Sequence, residues 1–90
     1  MTWAKVYDAM QDGRYVRRAS WDESAIIRIF IDDETMKSWF YATSSAKQYF
    51  VEQPDGGYRF NEQQHPSDDW EIVPYLYNFD NSSWYYVGTP

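Results

Sequence analysis

A chain of ninety residues with five tryptophans, nine tyrosines and five phenylalanines carries more rings than a core of its size can enclose. A domain of this length buries roughly 60–65% of its unfolded surface, so several rings are left for the outside. Those rings belong in a pocket or between copies of the chain, where aromatic side chains concentrate. Aromatic density of this kind also favours strands. The expectation is one domain spanning residues 1–90 that assembles as a homo-oligomer, a dimer or tetramer.

Taken in order, the chain opens with an amphipathic helix. Trp3, Val6, Tyr7 and Met10 recur at helical spacing on one face, Thr2 is placed to cap the start, and Gly13 to end it. Tyr15 to Arg18 reads as a short strand. Ala25 to Ile31 reads as a central strand covered on both faces, in which Arg28 needs a partner. Strands follow at Lys37–Ala42, Lys47–Val51 and Tyr58–Asn61, the last two joined by the turn Pro54-Asp55-Gly56-Gly57. Pro66 to Asp69 suits one helical turn. Trp70–Tyr77 resumes strand, with Pro74 implying an edge or a bulge, and Trp84–Val87 closes the series. The fold class is α+β: an N-terminal amphipathic helix packed on a curved antiparallel β-sheet of five to seven short strands.

The formal charge of −6 argues against long nucleic acids as partners, because the field of the whole chain would repel a polyanion. The charge is uneven. Lys5, Arg14, Arg17, Arg18 and Arg28 stand against four acidic side chains in residues 1–30, while three basic residues face ten acidic ones in residues 31–90. A local basic site on an acidic body can still admit a small anion. The chain has no cysteine, so disulfides and thiolate metal sites are excluded. No apolar run reaches the length of a membrane span, and the opening residues read as a helix start rather than a signal peptide. The expected compartment is the cytoplasm.

Catalytic chemistry is poorly supplied. His65 is the one histidine, sits before Pro66 in a polar loop, and reads as solvated. Asp32, Asp33 and Glu34 lack the alternation of a calcium loop and read as a hairpin tip. No catalytic residue, metal site or cofactor is expected. Recognition is better served. In G-R-Y-V-R-R-A-S-W-D, residues 13–22, an indole stands beside guanidinium groups, a pairing able to stack a flat base and neutralise a phosphate. The competing reading is a strand edge with solvated arginines and a core tryptophan. The candidate ligand-binding residues are Arg17, Arg18, Trp21, Arg28, Tyr58, Asn61 and Asp69.

Two blocks resemble a known family, the phage-encoded Thoeris anti-defence proteins of the second type, whose domain is also found in some type II-A anti-CRISPR proteins. In the first block the helix with Ala9 and Met10 leads to Gly13, Val16, Arg18 and Trp21 at the family's spacing. In the second, Asp69-Trp70-Glu71-Ile72-Val73 is similar to the family's closing strand. Tyr58 stands where the family carries tryptophan. The chain departs from the pattern at Asp22-Glu23, where the family has Asn-Gly, and continues further after Val73.

The resemblance implies a non-enzymatic sponge, a homotetramer that sequesters cyclic nucleotide immune signals in host cytoplasm. The ligands would be cyclic ADP-ribose isomers, and in some members cyclic oligonucleotides, held between subunits. On that basis Trp21 would stack on a purine, Arg18 would contact phosphate, and Asp69 and Asn61 would serve ribose or base edges. The alternative is an acidic inhibitor that binds a host defence protein directly, of anti-CRISPR or DNA-mimic type. A small hydrolase of the same signals is the third reading.

Overall fold

The computed structural model describes residues 1–88; Thr89 and Pro90, the end of the expected domain, lie outside the described residues. Helix α1 spans Trp3–Gln11 and buries Val6 and Met10 completely. Thr2 occupies the N-cap position, but its side chain makes no capping bond. The helix start is held instead by Met1, whose ammonium donates to the carbonyls of Asp68 and Trp70, each at 2.8 Å. The Met1 carbonyl in turn accepts from the Trp70 amide at 3.2 Å. At the other end Gly13 adopts φ +97°, as the sequence predicts. The Gly13 amide then reaches Met10 O at 3.1 Å and the Arg14 amide reaches Ala9 O at 3.0 Å. That pair satisfies two carbonyls that the helix leaves open.

Eight strands follow: β1 (Val16–Arg18), β2 (Ile27–Ile31), β3 (Ser38–Ala42), β4 (Phe50–Glu52), β5 (Tyr58–Phe60), β6 (Trp70–Ile72), β7 (Tyr75–Asn78) and β8 (Ser83–Tyr86). The class is α+β, as expected. The single curved sheet is not: β3-β2-β1-β6 form one four-stranded antiparallel sheet, while β4–β5 and β7–β8 pair as separate hairpins. Pro74 accounts for one difference. It cannot donate to a ladder, so the expected Trp70–Tyr77 strand divides into β6 and β7 around it.

A second difference lies at Ser44–Tyr49, where a 3₁₀ turn replaces the start of the expected Lys47–Val51 strand. That turn drops the small Ala46 side chain into the core and sets Tyr49 against Trp21. The helical turn expected at Pro66–Asp69 falls earlier, at Glu62–Gln64, where the Asn61 carboxamide oxygen accepts from the Gln63 amide at 3.0 Å.

The core gathers Val6, Met10, Val16, Trp21, Ile27, Phe60 and Trp70 between α1 and the sheet. Strand β1 is too short to cover its neighbour and pairs with β2 only at Val16–Ile27. The rest of that edge of β2 is closed by the end of α1. Gln11 acts there as a surrogate strand residue: its Nε2 donates to Ile29 O at 2.9 Å, and its Oε1 accepts from the Ile31 amide at 3.0 Å. Arg28 finds the partner its position demands. Its Nε donates to Met10 O at 3.0 Å, where the helix dipole favours a cation, and its guanidinium lies 4.3 Å from the Phe30 ring centre. Replacing Gln11 by Ala removes both backbone bonds to β2. We expect a loss of about 1–3 kcal/mol in urea unfolding; an unchanged midpoint would contradict this role.

Candidate functional site

The stretch that looks most like a ligand platform in the sequence is structural in the fold. Arg17 and Arg18 lie on β1 opposite Glu71 and Trp70 of β6. Arg17 pairs with the Glu71 carboxylate and donates to the Trp21 carbonyl. Arg18 grips Asp69, with Nε to Oδ1 at 2.7 Å, and reaches the Gln64 carboxamide oxygen at 2.6 Å.

Trp21 is only 5% exposed. Its ring stacks on Tyr49 at 4.2 Å and 10°, and meets Trp70 edge to face at 5.2 Å. Its indole N–H donates to the same Gln64 oxygen at 3.3 Å. The tight turn that closes with the Trp21 amide on Arg18 O at 3.0 Å swings the indole inward rather than onto a rim. In this protomer Trp21 therefore offers no face to a ligand, and Arg18 is held in an internal ion pair.

The other candidates divide. Asp69 is Arg18's partner, and that hydrogen bond, ahead of weaker help from Ser20, holds its carboxyl below the usual range. Asn61 caps the 3₁₀ turn, and Arg28 caps α1. Arg17 borders a separate cleft with Glu71 and Tyr75; of the remaining candidates only Tyr58, half exposed, opens onto a cleft.

That cleft, of about 320 Å³, lies between α1, β3, the β4–β5 hairpin and the 3₁₀ turn after it. Its volume is at the low end of the ~300–1,000 Å³ typical of small-molecule sites. Trp3 and Tyr7 of α1 form one wall, with Trp39 and Phe40 of β3 at another. Phe50, Tyr58 and Phe60 come from the hairpin. Trp3 is the hinge of this arrangement: it lies 5.0 Å from Trp70 in the core and stacks on His65 at 4.2 Å and 18°.

His65 is thus packed among rings, and the solvated loop histidine expected from its polar neighbours is corrected. Burial pushes its pKa down, with Glu62 partly opposing. Arg59 supplies the guanidinium of the lining, 3.5 Å from the Glu62 carboxylate, with both side chains more than 60% exposed. An ion pair so open to water holds its partners weakly.

The sequence alone does not mark Trp3, Tyr7, Trp39, Arg59 or His65 as ligand-facing. The run Ser38-Trp39-Phe40-Tyr41 held a usable signal: adjacent aromatics on a strand face opposite sides, and a small domain cannot cover both. Trp3 and His65 had none, since sixty-two positions separate them.

A second ring cluster joins Tyr15, Tyr41, Tyr77 and Trp84 below the β7–β8 hairpin, with Tyr15 and Trp84 at 5.1 Å and Tyr41 and Tyr77 at 5.1 Å. Phe79 and Tyr86 remain largely exposed beside it. Among the described residues, no group of three or more His, Cys, Asp or Glu is placed to hold a metal ion, and no helix is long and apolar enough to cross a membrane. No protein-family model matches the chain, and no curated protein or solved structure matches it at a significant level.

The Arg18–Asp69 pair carries a pH signature. Because folding lowers the Asp69 pKa, its contribution is present above the ordinary carboxylate range near 4 and is lost as pH falls through the folded value. Asp69→Asn should therefore melt below wild type at pH 7, and the gap should narrow as the pH is lowered below the ordinary carboxylate range near 4. A gap that stays constant across that range would contradict the pairing.

Proposed function

We propose that this chain is a non-enzymatic sponge that binds a cyclic nucleotide signal of host defence, in the host cytoplasm, and holds it without cleaving it. The observation that carries the reading is the cleft: aromatic walls, half-exposed Trp39 and Tyr58 at its mouth, and one guanidinium in the lining. Those are the groups that stack a base and meet a phosphate. Sequestration requires tight binding and slow release, and asks for no nucleophile. The resemblance carried by Gly13, Val16, Arg18, Trp21 and Asp69-Trp70-Glu71 supports the ligand class. It does not support a pocket built on Trp21 and Arg18, because these serve the core and its ion pair. Cyclic ADP-ribose isomers are the leading ligands within that class, with cyclic oligonucleotides second.

An oligomer fits the same reading. Phe79 and Tyr86, at 64% and 69% exposure, are rings that a second chain would cover. These rings also favour the alternative function, an acidic inhibitor that docks on a host defence protein. A stoichiometric partner captured from host lysate, with no nucleotide bound, would decide for that alternative.

Isothermal titration with the 1″–3′ and 1″–2′ glycocyclic ADP-ribose isomers tests the sponge. We expect heat with at least one isomer, recovery of the ligand intact, and a weakening of about 5- to 150-fold in Trp39→Ala or Tyr58→Ala, the range that loss of one stacking ring of ~1–3 kcal/mol gives. No heat with either isomer or with cyclic dinucleotides would overturn the reading.

A further inference from the structure

The cleft lining contains two basic side chains of different character, Arg59 and His65, and their placement leads to a property beyond sequestration. We propose that Arg59 and His65 form a proton-dependent phosphodiester subsite, so that a purine carrying one phosphodiester binds with uptake of a proton by His65. This rests on the placement of the ligand in the cleft.

His65 presents an imidazole to the cleft while stacked on Trp3 at 4.2 Å and lying 5.6 Å from Phe60. The other ionisable groups of the cleft lining come from three elements: Glu62 on its own turn, which acts on the imidazole directly, Tyr58 and Arg59 on β5, and Tyr7 on α1. Strand β3 contributes Ser38, Trp39 and Phe40, β2 contributes Ile29 and β4 contributes Phe50, none of which ionises as an acid or base near neutrality. At pH 7.5 burial keeps the imidazole uncharged, and Arg59 stands alone against the single carboxylate of Glu62. The lining is then close to neutral, and base stacking dominates recognition.

An anion changes that balance. Arg59 and Glu62 are 3.5 Å apart and mostly exposed, so the pair yields readily to a phosphate oxygen that offers Arg59 a better partner. A negative charge brought beside His65 favours its protonated form. By linkage, the proton then favours the anion equally, and the two bind together. A ligand that raises the His65 pKa by half a unit to one unit gains about three- to tenfold in affinity at low pH, since one unit corresponds to a factor of ten.

The chain's single histidine makes the measurement unambiguous. The His65 ring protons are followed by NMR from pH 5 to 8 with and without 3′,5′-cyclic AMP, whose phosphodiester keeps its charge across that range. Affinities for cyclic AMP and for adenosine are measured at pH 5.5 and 7.5. The expected result is a His65 pKa raised by half a unit or more with cyclic AMP, and an affinity higher at pH 5.5 than at pH 7.5, by at most about tenfold for each unit of that rise. Adenosine, which has no phosphate, should show neither change. His65→Phe keeps a ring on Trp3 and removes the proton, so it should bind cyclic AMP with no pH slope, while Arg59→Gln should weaken it at both pH values. If cyclic AMP binds in the cleft with a flat pH profile and an unmoved His65, this proposal fails and the cleft reading stands. If neither cyclic AMP nor the cyclic ADP-ribose isomers perturb any cleft resonance, both fail.

Discussion

The packing of Trp3 against Trp70 is the contact on which the rest of the molecule depends. With ring centres 5.0 Å apart, it fixes α1 over β6, and the same indole continues outward to stack on His65 and Phe60. One ring therefore closes the core and forms the wall of the cleft. Met1 reinforces it by pairing with the free side of β6 through both its ammonium and its carbonyl. The chain start is thereby tied to a strand some seventy residues away, and loss of that tie would open core and cleft together.

A second constraint shapes what the arginines can do. The sheet is narrow: β1 has three residues and meets β2 at a single pair. Side chains complete what backbone leaves undone. Gln11 and Arg28 close β2 against the end of α1, Arg17 and Arg18 bind β1 to β6, and Arg14 donates to the carbonyls of Val73 and Gly88 at 3.0 and 2.9 Å. Guanidinium groups so engaged are poor candidates for ligand phosphate, because a ligand would have to replace partners the fold needs. Arg59, on a short hairpin and paired among the described residues only with an exposed glutamate, is under no such demand.

What could be read in the sequence was local. Gly13 ends α1 through its positive φ, and Gly56, at φ +85°, turns the β4–β5 hairpin as Pro54-Asp55-Gly56-Gly57 suggests. The need of Arg28 for a partner followed from its place in an apolar strand, although which atom would serve did not. Long-range outcomes escaped. Trp21 beside Arg17 and Arg18 looks identical whether its ring faces water or Tyr49, and the choice is made by a 3₁₀ turn more than twenty residues later. His65 in a polar loop reads as solvated because nothing nearby announces Trp3. Pro74 was legible as a disturbance, but not as the boundary between a sheet and a separate hairpin.

The central claim is that the ligand enters beside Trp3 and Trp39 and leaves Trp21 untouched. The five tryptophans give five indole N–H resonances, which can be followed in a ¹⁵N-labelled sample as 1″–3′ glycocyclic ADP-ribose is added. The account predicts that the Trp3 and Trp39 signals move together and saturate while Trp21, hydrogen-bonded to Gln64, stays in place. Movement of Trp21 with Trp3 and Trp39 unchanged would contradict it, as would five signals that do not respond at all.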